Sequence, residues 1–126
     1  MAYDSSRPIY RQIIDGFQKQ LVRGELKQGD KIPSQREYAE KAHINPNTVQ
    51  RAYREMEAMH MVETLRRQGT YVIVTEPMLA DMGADLGQKI LSYFITEMES
   101  LGYDYDGMIK LLRSEQDQRA AETRDD

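Results

Sequence analysis

Apolar residues recur three and four apart over Ile9, Ile13, Ile14, Phe17, Leu21 and Val22, the period of a helix with one buried face. Pro8 is suited to the first helical position, where its missing N–H is not needed, and Gly24 closes the run as a C-cap. Gly29-Asp30 marks a turn, and Pro33 forces the backbone before it to be extended. Ser34 and Glu37 stand at capping-box spacing and open a short helix carrying Tyr38, Ala39 and Ala42 on one side. After a break around His43-Ile44, Asn45 and Pro46 supply a second N-cap followed by proline at the first helical position. The helix they start is expected to run to about Met59, with Val49, Ala52, Tyr53 and Met56 as its apolar stripe. Two short, separately capped helices in close succession form the helix-turn-helix pattern.

The period then changes. Val62 to Leu65 and Thr70 to Val74 are β-rich runs on either side of Arg66-Arg67-Gln68-Gly69, which predicts a hairpin with a basic, glycine-containing tip. Pro77 restarts a helix, and Leu79, Met82, Leu86, Ile90, Phe94, Met98 and Leu101 extend it until Gly102. Asp104 can cap a last helix bearing Met108, Ile109 and Leu112, whereas the tail after about Gln116 is polar enough to be expected to fray. The predicted fold is mainly α with a small β hairpin. A winged helix-turn-helix occupies residues 1–75, and a two-helix dimerisation element with a frayed tail occupies 76–126. The long apolar stripe exceeds what one short partner helix covers, so Leu79 to Leu101, together with Met108, Ile109 and Leu112, are assigned to an isologous contact between two subunits. The competing reading is partial folding of this helix back onto the winged domain.

Charge sharpens the division. The 126 residues carry a net charge of −4, which argues against a nucleic-acid partner for the chain as a whole. Residues 1–75, however, hold 12 Lys and Arg against 9 Asp and Glu, while residues 76–126 hold 5 against 12. The first part can approach phosphate; the second is repelled by it. The absence of cysteine excludes disulfides and thiolate metal sites and fits a reducing compartment. The N-terminus lacks a signal-like apolar stretch, and no run approaches the ~18 apolar residues of a membrane span, so a cytoplasmic protein without a membrane role is expected.

Candidate chemistry lies opposite the apolar stripe of the helix that begins at Asn45. Asn47, Arg51 and Arg54 lie near the far side from Val49, with Thr48 and Gln50 on the flanks. Asn and Gln pair with adenine edges, Arg pairs with guanine, and Thr meets the thymine methyl. A solvated polar face would look the same, but the preceding helix and the following hairpin favour DNA. Arg66, Arg67 and Gly69 at the hairpin tip suit phosphate or the minor groove. Arg36 can pair with Glu40 one turn on or reach the DNA from the preceding helix.

These segments resemble the GntR family of bacterial regulators. Residues 29–39, Gly-Asp-Lys-Ile-Pro-Ser-Gln-Arg-Glu-Tyr-Ala, resemble the family's G-x-x-L-P-S-x-R-x-L-A segment. Asn45 to Tyr53 resemble its recognition helix, and Gly69-Thr70-Tyr71-Val72 resemble its wing strand. The resemblance implies DNA contacts by Arg36, Asn47, Thr48, Gln50 and Arg51, with Gly69 as the wing glycine; Ser34, at the head of the second helix, is assigned to the DNA-binding set beside them. Pro46 departs from the small or arginine residue of many members, so no base contact is assigned there. The short C-terminal region resembles the YtrA-type subfamily, in which it serves dimerisation. The resemblance thus implies a homodimer on a palindromic operator with half-sites about 34 Å apart. Repression by promoter occlusion is the simplest outcome. The operator, the target genes and any small-molecule effector stay open, and no cofactor is implied.

An enzyme is not expected. His43 and His60 have no nucleophile or third partner at catalytic spacing, Asp104 is first a helix cap, and no glycine-rich phosphate loop precedes a helix. No metal site is assigned. The alternative from another class is a winged helix that binds protein, which would leave its partner bound after Gln50→Ala with Arg51→Ala.

Overall fold

The computed structural model describes residues 3–125. Helix α1 spans Ile9–Val22 and buries Ile13, Ile14, Phe17 and Leu21, four of the six periodic positions. Pro8 is its N-cap rather than its first helical residue, because its ψ of 131° is extended. Its carbonyl accepts from Arg11 and Gln12 at 3.2 and 3.3 Å. At the other end Gly24 takes φ +82°. Its N–H bonds the Leu21 carbonyl while that of Glu25 reaches Gln20, the Schellman pattern that a left-handed glycine permits.

Helices α2 (Gln35–Ala42) and α3 (Pro46–Ala58) are the helix-turn-helix. The Ser34 hydroxyl accepts the Glu37 N–H at 3.1 Å, and the Asn45 side chain accepts the Asn47 N–H at 2.8 Å. Between them His43 takes φ 55°, a left-handed break made by a residue other than glycine. The predicted stripe of α3 is fully covered: Val49, Ala52, Tyr53 and Met56 are each 0% exposed. The Tyr53 ring meets Phe17 edge-on, with centroids 6.0 Å apart, and its hydroxyl donates to the Pro33 carbonyl at 2.5 Å. That bond ties the corner before α2 to α3.

The hairpin consists of β2 (Val62–Leu65) and β3 (Gly69–Val72), and a short strand β1 (Lys31–Ile32) joins the free side of β3 to give the order β1-β3-β2. Both pairings are antiparallel; Lys31 lies opposite Tyr71, and Glu63 lies opposite Tyr71 from the other side. The extended backbone before Pro33 was legible, but not its partner, because a two-residue strand forms only when a distant strand supplies its hydrogen bonds. Buried Thr70 is satisfied at the same point. Its hydroxyl lies 3.0 Å from that of Thr64, whose own proton goes to Glu57 on α3 at 2.6 Å. Thr70 is therefore the donor to Thr64, and the chain of bonds couples the hairpin to α3.

Helix α4 runs Glu76–Ser100 and α5 runs Tyr105–Asp125. By contacts the chain forms two compact units, the first continuing to Ala84 and the second beginning at Asp85, inside α4. Leu79 and Met82, assigned from the sequence to the subunit contact, are half-buried and pack against the core of the first unit within their own chain. A helix that leaves directly from the wing strand buries its first apolar turns on the nearest apolar surface, which is its own domain. In the second unit Asp104 caps α5 through the Gly107 N–H at 2.8 Å, and Met108 is 3% exposed within its own chain. Beyond Gln116, where fraying is expected from the sequence, the structure carries the helix through Asp125. Ala120 and Ala121 favour helix, Arg119 pairs with Glu115 at 3.0 Å, and Arg124 stands at the carbonyl end of the helix dipole.

Candidate nucleic-acid interface

The caps decide what α3 presents. Asn45 spends its side-chain oxygen on the Asn47 backbone, so the helix starts at Pro46 and the next residues face outward. Asn47, Gln50, Arg51 and Arg54 are exposed, while Thr48 is half-buried. Arg36, Asn47 and Gln50 line one open groove between α2 and α3, together with Ile44 and Pro46. The structure thus brings together three predicted site residues from two helices. Arg36 holds the i,i+4 pair with Glu40, Nε to Oε1 at 3.3 Å. Both groups are exposed, and such a pair is weak enough to exchange for a phosphate. Ser34 is half-buried, and its hydroxyl oxygen serves as the cap, leaving only its proton to donate outward.

Arg51 is placed differently. Its guanidinium carbon lies 3.9 Å from the centroid of the Tyr10 ring on α1, a stacked cation–π contact. It leans toward α1, away from the groove shared by Asn47 and Gln50. Arg66 and Arg67 are exposed at the hairpin tip, where Arg67 takes φ 66° and Gly69 φ +129°. A side chain at Gly69 would meet the aliphatic end of Lys31, whose Cε would stand 2.6 Å from the added Cβ. Glycine is therefore required on two counts, backbone conformation and space.

Two residues escaped the sequence reading. Lys31 is carried to the wing by the β1–β3 pairing, adding a third cation beside Arg66 and Arg67. Tyr10 stands three residues before Ile13 on the apolar side of α1 and is half-buried against the core. The signals were present, a lysine in an extended pair and an aromatic in a first helical turn, but neither names its distant partner. Among the described residues no group of three or more His, Asp or Glu could hold a metal ion, and no helix is long and apolar enough to cross a membrane.

A family profile for bacterial regulatory proteins of the gntR family matches residues 9–72, the span from α1 to the end of the wing. The chain belongs to that family. This GntR-family chain is 40% identical over 112 residues to the uncharacterized HTH-type transcriptional regulator YhcF of Bacillus subtilis, covering 89% of the chain and 93% of YhcF. It is 50% identical over 68 residues to the HTH-type transcriptional repressor YtrA of the same organism, a match over 54% of the chain and 52% of YtrA. Among solved structures, a GntR family transcriptional regulator from Listeria monocytogenes superposes with a TM-score of 0.83 at 34% identity, over 89% of this chain and 98% of that one. The likeness to YhcF and to the Listeria regulator extends through the helical C-terminal part, so the GntR-family chain is of the short, YtrA-type form and a DNA-binding transcription regulator.

Proposed function

We propose that the chain is a repressor that binds a palindromic operator as a homodimer in the cytoplasm. The observation that carries this is the open groove where Arg36 of α2 meets Asn47 and Gln50 of α3. Among the described residues no side chain fills it, and its polar groups are those that read base edges and grip phosphate. In this reading the N-terminal half of α3 enters the major groove. Asn47 and Gln50 meet base edges, and Arg36 exchanges Glu40 for a phosphate. The wing places Arg66, Arg67 and Lys31 over the backbone or the adjacent minor groove. The second unit supplies dimerisation. Ile90, Leu101, Ile109 and Leu112 are exposed there, and Leu86, Phe94 and Met98 are half-buried, more apolar surface than a small helical unit leaves to water without a partner. Two subunits then span half-sites about one DNA turn, ~34 Å, apart.

Selection of bound duplexes from a random pool, followed by footprinting, tests the proposal. A two-fold symmetric site is expected. Gln50→Ala should weaken it by about 1–3 kcal/mol while leaving dimerisation intact. Selection of no sequence, or an unaltered preference after both Asn47→Ala and Gln50→Ala, would overturn the proposal.

A further inference from the structure

One aromatic ring collects two cations that have no acidic partner among the described residues. Tyr10 stands in the first turn of α1, which holds no acidic residue. Arg51 of α3 lies over its face at 3.9 Å. Arg11 lies 5.5 Å from the same centroid, and its Nε donates to the Tyr10 hydroxyl at 3.0 Å. Among the described residues neither arginine is within ion-pair distance of a carboxylate, and Asp15, one turn along α1 from Arg11, is held by Arg7 at 2.5 Å. Two guanidinium groups gathered on one ring repel each other, and an anion between them removes that repulsion. Among the described residues no hydrogen bond or ion pair takes up the Arg51 N–H groups, so they stay free to donate in the fork that fits phosphate oxygens. The positive end of the α1 dipole adds to the same field.

We propose that Tyr10 is the positioning residue of a backbone-phosphate site, holding Arg51 and Arg11 against one DNA strand beside the groove that α3 reads. The inference rests on the operator-binding reading above. It changes the role of Arg51, which grips phosphate from the α1 side and leaves base reading to Asn47 and Gln50. Tyr10 contributes to affinity without touching a base.

The test uses the full chain and the duplex selected by the wild-type protein, with affinity measured across a series of NaCl concentrations. Tyr10→Phe keeps the ring face and should bind within about twofold of wild type. Tyr10→Leu should weaken binding about three- to tenfold, as expected for loss of a cation–π contact. Arg51→Ala should lower the slope of log affinity against log salt by about 0.9, one phosphate, with base preference unchanged. In the Arg51→Ala background Tyr10→Leu should have almost no further effect on affinity, a result that simple loss of packing does not produce. Full additivity of the two substitutions, or an unchanged salt slope in Arg51→Ala, overturns the inference. Gln50→Ala separates the two readings: if it weakens the selected duplex while Tyr10→Leu does not, operator binding stands and the phosphate site falls. If the wild-type chain selects no duplex, operator binding itself has failed.

Discussion

Tyr53 joins two demands that usually conflict in a core. Its ring is completely covered, yet its hydroxyl is not stranded, because it donates to the Pro33 carbonyl. Burial, with a smaller contribution from the nearby Glu37 carboxylate, pushes the phenol well above its ordinary value of 10.0, so the group stays a neutral donor. Tyr53→Phe retains the packing and removes one bond; we expect a loss of about 0.5–1.5 kcal/mol in chemical denaturation. A neutral result would mean that the Pro33 corner is held by its strand alone. The same residue shows what local pattern can reveal. Period 3.6 put Tyr53 on the buried stripe, but the target of its hydroxyl lies twenty positions back in the chain, beyond any spacing rule.

At the scale of elements, α2 and α3 were legible because their start signals are local. Ser34 and Asn45 cap helices whose first N–H groups lie two or three residues away, and such pairs form from neighbours alone. Asn45→Ala should therefore cost about 0.5–2 kcal/mol. A cost of 1 kcal/mol would lower the melting temperature of a domain this size by roughly 4–8 °C, measurable by circular dichroism. An unshifted melting curve would show that Pro46 alone sets the start of α3. Strand β1 and the end of α5 differ from the sequence expectation for opposite reasons. The two residues of β1 have no pattern of their own and depend on Thr70 and Tyr71. The end of α5 was judged by its polarity, although its helix propensity and its Glu115–Arg119 pair were equally readable.

At the scale of the molecule, charge and apolar surface are segregated. The winged part carries the positive excess and the remainder most of the negative, so attraction to phosphate belongs to the first part alone. Ile90 is 65% exposed within its own chain, which leaves its apolar side chain free to meet a second subunit. Ile90→Asp should raise the dimer dissociation constant at least about tenfold, a change of ~1.4 kcal/mol, as read by sedimentation velocity. It should leave the unfolding of the winged unit unchanged. A variant that remains fully dimeric would move the subunit contact away from α4.

The sequence alone determined the helices, their caps, the hairpin and the family, because each rests on residues within a turn or two of one another or on a motif read in order. It also named Arg36, Asn47 and Gln50, which share a groove. Tertiary structure decided the rest: that β1 brings Lys31 to the wing, that Tyr10 takes hold of Arg51, and that Leu79 and Met82 serve their own domain. Each of these is a pairing across the chain, and a periodic pattern states which face is apolar or charged without stating what that face will meet.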